Sequence, residues 1–156
     1  MKRTILALFV FTAIFQNAAT AQSNIGSTDY TTAVWVKFYP GAITLKHFVN
    51  EKHALEGIAY FWNRGTRITG LYEIHGDIEN AGGLKWYIGP GAHVGFYNNK
   101  NYGGGTYIGL DGVIGLDYKI RSAPINFSLD WQPSFEFGDG AGFSGNWGGI
   151  AIRYVL

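Results

Sequence analysis

The stretch that decides the fold is Ile125–Phe137, which reads INFSLDWQPSFEF. From Ile125 onward every second residue is apolar, and every residue between is polar. Because successive side chains leave a β-strand on opposite faces, this alternation predicts one long strand with an apolar and a polar face. Strands in globular proteins run about five or six residues, whereas a tilted strand that crosses a bilayer needs about 9 to 11. The length of the stretch therefore favours a strand that spans a membrane.

The amino terminus indicates export. Residues 2–3 are basic, residues 5–15 are apolar, and residues 19–21 have the small-x-small pattern of a signal-peptidase site. We therefore expect a signal peptide over residues 1–21 and a mature chain that begins at Gln22. The apolar stretch falls short of the roughly 20 residues that a membrane-spanning helix requires.

The composition fits a single exported domain. Removal of residues 1–21 leaves 135 of the 156 residues, enough for one domain, with 10 basic residues against 11 acidic ones. A mature formal charge of −1 provides no electrostatic footprint for nucleic acid. The chain has no cysteine, so disulfides cannot stabilise it, whereas its 23 glycines and 17% aromatic residues are typical of barrel proteins.

Residues 22–31 form a polar segment, which we place in the periplasm. Residues 32–156 form the barrel domain, because they consist of strand-like stretches separated by turn residues. The predicted strands cover residues 34–39, 43–49, 54–62, 67–75, 84–97, 108–120, 125–137 and 146–156. The longer predicted loops are residues 75–83, 98–105 and 138–145. Proline cannot donate to a ladder, so we expect a bulge or bend near Pro90.

An even strand number and an export signal together predict an all-β fold, an eight-stranded antiparallel up-and-down transmembrane β-barrel with both termini in the periplasm. A soluble exported barrel of the lipocalin kind also alternates, but its apolar residues point inward around a ligand. Only 15% of the residues are charged, whereas charged residues make up about 25 to 35% of the surface of a soluble protein. We therefore expect apolar side chains such as Trp131 and Phe135 to face lipid.

The polar face is expected to fill the interior. Its charged residues are Lys37, Lys46, Arg67, Glu73, Lys85, Asp111, Asp117, Lys119, Asp130, Glu136 and Arg153. The tripeptide Gly-Leu-Asp occurs at residues 109–111 and again at 115–117, and the even offset puts both aspartates on one face. An eight-stranded barrel is just wide enough to be filled by side chains, so these charges must pair with one another. A plugged interior disfavours a porin.

Several stretches resemble small outer-membrane β-barrel proteins of Gram-negative bacteria: residues 54–57, 62–65, 87–95, 115–118 and 131–135. The resemblance covers nearly all of the mature chain. It implies a monomer in the bacterial cell outer membrane, in contact with outer-membrane lipids, and it implies no reaction. The last strand is similar to the signal read by the barrel-assembly machinery, with Tyr154 third from the end, which implies that machinery as a partner during insertion.

Two motif-like features have simpler interpretations. Gly140-x-Gly142-x-x-Gly145 matches the dinucleotide-binding pattern, but that motif needs a helix after it, and the following residues lead into a strand. We therefore interpret it as a loop. The histidines His47, His53, His75 and His93 show no metal-ligand spacing. A cluster of His93 and His75 with Glu73 in the interior is one hypothesis, and hydrogen-bonded interior histidines are the other.

Some eight-stranded outer-membrane barrels modify lipids, which requires a serine or histidine beside a carboxylate. Ser128, Ser134, Asp130 and Glu136 share the inner face of one predicted strand, and His93 lies on the inner face of another. A catalytic triad is defined in space, so this pattern assigns no catalytic residue.

We assign no cofactor and no metal, and we do not expect an enzyme. The expected function is a structural or interaction role through the extracellular loops at residues 98–105 and 138–145, whose surface partner or ligand is unknown. A lipid-modifying enzyme and a soluble exported ligand-binding barrel are the alternatives.

Overall fold

The computed structural model describes residues 31–38, 41–63, 65–97, 105–138 and 142–156. The predicted signal peptide and nearly all of residues 22–31 lie outside this part of the chain, as do residues 98–104 and 139–141 of the predicted loops. The strands are β1 (Thr32–Lys37), β2 (Ala42–Phe48), β3 (His53–Trp62), β4 (Gly65–Asp77), β5 (Leu84–Tyr97), β6 (Gly105–Lys119), β7 (Ile125–Phe137) and β8 (Gly142–Val155). The described residues include no helix with the length and apolarity of a membrane span.

The strands form one closed ring. Each strand pairs antiparallel with the next in sequence, and β1 pairs with β8, from Ala33 with Val155 to Lys37 with Ala151. The prediction of an all-β, antiparallel, up-and-down barrel is therefore confirmed. We call the end that holds the start of β1 and the finish of β8 the terminal end, and the opposite end the far end.

The two faces of the wall follow the sequence alternation. In β7, Trp131 and Phe135 are 50% and 47% exposed on the outside, whereas Gln132 is fully buried in the interior and Asp130 is 7% exposed. Strand β2 shows the same strict alternation. Because the period of a strand is two, a continuous strand keeps its apolar row on the outside and its polar row inside.

The strands differ in length. β1 and β2 have 6 and 7 residues, whereas β4 to β8 have 13 to 15. Strand β8 begins at Gly142, so the predicted loop at residues 138–145 is wrong in its second part. The glycines there suggest a loop, but Gly142 pairs with Glu136 and Phe143 with Phe135, which extends the ladder. Likewise β4 runs to Asp77, two residues past its predicted end.

Pro90 does not produce the predicted bulge. Strand β5 keeps one register with β6 along its whole length, and its register with β4 is the same on both sides of the proline. The β4 ladder only skips the two pairs at Gly89 and Pro90, where proline has no N–H to donate. The register shift lies at Pro133 instead, where two residues of β8 oppose one residue of β7.

Candidate functional site

The candidate site is the charged interior of the ring. Its buried cations are Lys37, Lys46, Arg67 and Arg153, and its buried carboxylates are Glu56, Glu73, Asp111, Asp117 and Asp130. An unpaired charge in such a place costs several kcal/mol, roughly 3–5 when one partner of a pair is removed. The distances show that each of these groups has partners from other strands.

At the terminal end, Lys46 lies among three carboxylates. Its Nζ is 2.7 Å from Glu73 Oε2, 3.4 Å from Glu56 Oε2 and 3.5 Å from Asp117 Oδ2. The same ammonium lies 4.2 Å from the ring centroid of Tyr87, which adds a cation–π contact. This one cation therefore holds together β2, β3, β4 and β6.

Arg153 makes a second junction beside it. Its Nη2 donates to Glu56 Oε1 at 2.6 Å, and its Nη1 donates to Ser128 Oγ at 2.6 Å. Asn126 donates to Asp117, so the amide closes the same network from β7. The two aspartates of the Gly-Leu-Asp repeat thus find cationic neighbours as predicted, Asp117 here and Asp111 further up the ring.

The middle of the interior is centred on Asp130. Lys37 Nζ lies 2.5 Å from Asp130 Oδ1, and Tyr87 donates its hydroxyl to Oδ2 at 3.0 Å. Gln132 donates to the same carboxylate at 3.3 Å and accepts from the Tyr60 hydroxyl at 2.6 Å. These large buried side chains fill the cross-section of the ring.

Arg67 organises the far end. It forms an ion pair with Asp111, donates to Ser134 Oγ at 3.4 Å and lies 3.8 Å from Glu136 Oε1. Its guanidinium carbon is 4.2 Å from the ring centroid of Trp147. Planar, delocalised guanidinium groups suit this combination of carboxylate pairing and stacking.

The two interior histidines do not meet. His75 Nε2 is 2.9 Å from Glu73 Oε2 near the terminal end, whereas His93 Nδ1 is 2.8 Å from Asp111 Oδ2 near the far end. In the β4–β5 register His75 pairs with Tyr87, six residues before His93, a separation of about 20 Å along the strand. A joint cluster of the two histidines is therefore wrong, and each histidine bonds its own carboxylate.

The serines considered for lipid chemistry contact arginines, whereas His93 lies beside Asp111 and places its Nε2 3.5 Å from Glu136 Oε1. Ser128 bonds Arg153 and Ser134 bonds Arg67, while within the described part of the chain no hydrogen bond joins either serine to the imidazole. Of the other histidines, His47 bonds Thr32 at 2.9 Å and His53 bonds the Tyr72 hydroxyl at 2.7 Å. The geometry shown is that of a packed polar core.

The glycine pattern that imitates a dinucleotide motif lies mostly in a strand. Gly142 and Gly145 belong to β8, and Gly140 lies outside the described residues. A strand therefore follows this pattern, as the sequence predicts, although part of the pattern is itself strand and not loop.

Glu56 is the one buried charged residue of the described interior that the sequence pattern did not predict. It bonds both Arg153 and Lys46, yet the alternation of β3 is weak because its inner row includes Ala54 and Ile58. A signal was present: a turn centred on residue 51 places Lys46 and Glu56 directly opposite each other.

No protein-family model, curated protein or solved structure matches the chain. The function is therefore argued from the geometry of the ring.

Proposed function

We propose that the protein is an integral barrel of the bacterial outer membrane, with a sealed polar interior and a structural or binding role at its far end. The observation that carries the proposal is the inverted polarity of the ring, with charges buried inside and large apolar side chains exposed outside. Monomeric soluble proteins rarely expose contiguous apolar patches of more than a few hundred Å². Hydrocarbon is the solvent in which such an exterior is stable.

The exterior has the layered composition of a membrane belt. At the terminal end it carries Trp86, Tyr118, Phe127 and Tyr154, and at the far end it carries Phe38, Phe61, Phe96, Phe137 and Phe143. Aliphatic residues such as Ile114 and Leu129 predominate between, where Trp131 also lies opposite Ile114. Ten residues separate Trp86 from Phe96 along β5, which at about 3.3 Å each and a tilt of about 40° gives a height of about 25 Å. That height equals the apolar band of outer-membrane barrels.

A soluble ligand-binding barrel needs the reverse arrangement, with an apolar interior around its ligand. The described interior instead contains ion pairs and large buried side chains such as Arg67, Arg153 and Tyr87. An interior filled by side chains leaves no open channel among the described residues, which supports a role other than the bulk diffusion of solutes. The proposal assigns the protein a structural or binding role and no reaction.

The export signal predicted at residues 1–21 and the final strand support the rest of the proposal. An exported chain with a closing strand β8 would be inserted by the barrel-assembly machinery as a monomer, with its termini in the periplasm. The connections at residues 98–104 and 138–141 would then face the outside of the cell.

The test is fractionation of a Gram-negative host that expresses the full chain. We expect the protein in outer membranes that have been washed with alkaline carbonate, and we expect the unheated protein to migrate faster than the heated one on a denaturing gel. Recovery in the soluble periplasm without detergent would contradict the proposal. A co-expressed soluble periplasmic protein serves as the control for leakage between fractions.

A further inference from the structure

The wall of the ring is lower at β1 and β2 than elsewhere at the far end. β1 pairs with β8 only as far as Lys37 and Ala151, and β2 pairs with β3 only as far as Ala42 and Tyr60. Strand β8 continues through residues 142–149, with β7 as the only strand partner in the described register. We call the gap between the end of β3 and these residues of β8, above the β1–β2 hairpin, the notch.

Aromatic side chains line the notch from inside. Trp62 of β3 and Trp147 of β8 meet across it with ring centroids 5.2 Å apart, and Trp62 also contacts Tyr97 at 5.5 Å. The two strands are three strand spacings apart, about 14 Å, so the indoles bridge a wide opening. The Tyr97 hydroxyl donates to Glu136 at 2.7 Å, and that carboxylate is 18% exposed. Half-buried rings thus lie beside an accessible carboxylate.

The edge of β8 adds polar backbone groups. Each strand residue carries one donor and one acceptor, and in an antiparallel ladder they point to alternate sides. For residues 142–149 the described ladder uses the β7 side, so the groups on the opposite side point into the notch. An occupant of the notch must therefore offer hydrogen bonds as well as an apolar surface.

The charges beneath the rings exclude other occupants. Arg67 is already paired with Asp111 and lies near Glu136, so among the described residues carboxylates exceed cations here and disfavour an anion. His93 Nε2 is buried without a hydrogen-bond partner, 3.5 Å from Glu136 Oε1. An acyl chain would leave Glu136 and the β8 edge unsatisfied, which is costly in hydrocarbon.

We propose that the notch is a saccharide-binding site. A pyranose ring packs its C–H face on Trp62, or on the face of Trp147 opposite Arg67, and directs its hydroxyls to Glu136, Tyr97 and the β8 edge. Indole rings provide a rigid apolar surface, and a few placed polar groups fix the orientation of a ligand. This inference deepens the proposed function, because it gives the far end a ligand class, and it relies on that function only for the location of the site.

The experiment uses the full mature protein in detergent micelles on an array of immobilised oligosaccharides. The array includes lipopolysaccharide core oligosaccharides, which represent the membrane of the cell itself, and plant and animal glycans, which represent external sources. We expect wild type to bind one of these groups, Trp147→Ala to bind about tenfold more weakly, and Trp147→Phe to stay within about threefold of wild type. Glu136→Gln tests the carboxylate, and Trp86→Ala, on the outer face, is the matched control.

Two results would overturn the inference. One is that wild type binds no oligosaccharide, or that Trp147→Ala and Glu136→Gln bind as wild type does. The other is that choline or inorganic phosphate, titrated against tryptophan fluorescence, saturates wild type and displaces bound glycan at equal concentration. Heat-modifiable migration shows that each variant is folded. Membrane fractionation tests the location separately, so a membrane protein without glycan binding contradicts only this inference.

Discussion

Gly115 and Gly70 show how the two faces of the wall constrain a single residue. A Cβ on Gly115 would lie 2.5 Å from Cζ of the buried Tyr87 and 2.7 Å from the Leu129 carbonyl oxygen, whereas nothing lies within 4 Å of a Cβ on Gly70. We predict that Gly115→Ala lowers the free energy of unfolding by about 1–3 kcal/mol because a packed interior resists added volume. Gly70→Ala should be neutral or stabilise by about 0.5 kcal/mol.

Urea titration in lipid vesicles, followed by tryptophan fluorescence, measures both variants under one condition. Equal shifts for Gly70→Ala and Gly115→Ala would contradict the assignment of these residues to opposite faces.

Lys46 tests the pairing of the interior charges. Lys46→Met leaves Glu56, Glu73 and Asp117 without their shared cation, and we expect a loss of about 3–5 kcal/mol of unfolding free energy. Adding Glu73→Gln removes the nearest carboxylate, so the double variant should recover about 1 kcal/mol or more relative to Lys46→Met. Lys52→Met, in an exposed turn, is the control and should change stability by less than about 0.5 kcal/mol. An additive double variant would mean that the 2.7 Å contact contributes nothing.

At the scale of the element, the bulge opposite Pro133 should let strand β8 tolerate the deletion of one residue at that point. Two residues of β8 lie between the pairs Gln132–Trp147 and Ser134–Ser144, where a regular ladder has one. Deletion of Asn146 should therefore give a regular ladder with every side chain on its present face, and stability within about 1 kcal/mol of wild type. Deletion of Ile150 moves the preceding residues to the opposite face and should abolish folding. Heat-modifiable migration distinguishes the outcomes, and the reverse result would refute this register.

Individual strands also show how much of the fold can be predicted from the sequence. The strict alternation of β7 predicts its bounds and both of its faces, because the apolar row is exposed on the outside and the polar row is buried in the interior. Pro90 and Pro133 both lie inside long strands, yet only Pro133 has a register shift beside it, and the extra residue there belongs to the partner strand, where the sequence around the proline gives no sign of it. The pairing of the interior charges cannot be predicted from the sequence either. Lys37 and Asp130 are 93 residues apart and meet only because the strands tilt and the ring closes.

At the scale of the whole molecule, the proposed membrane location makes a prediction that a soluble barrel does not share. Ile114 is 52% exposed in the middle of the aliphatic band, and Leu84 lies at the terminal end of β5. Ile114→Arg should cost about 2–4 kcal/mol of unfolding free energy in phospholipid vesicles, and Leu84→Arg about 0–1 kcal/mol. If both arginines are equally harmless, the exterior is not in contact with hydrocarbon.

The ion pairs of the interior have a consequence for assembly. Lys37 on the first strand meets Asp130 on the seventh, and Arg153 on the last strand meets Glu56 on the third, so these two contacts form only when both edges of the sheet have joined. A half-built, open sheet would present bare ions to acyl chains. For a barrel in the outer membrane, as proposed, such an intermediate would have to stay shielded from lipid until β1 and β8 pair, so closure of the ring would come before release into the bilayer.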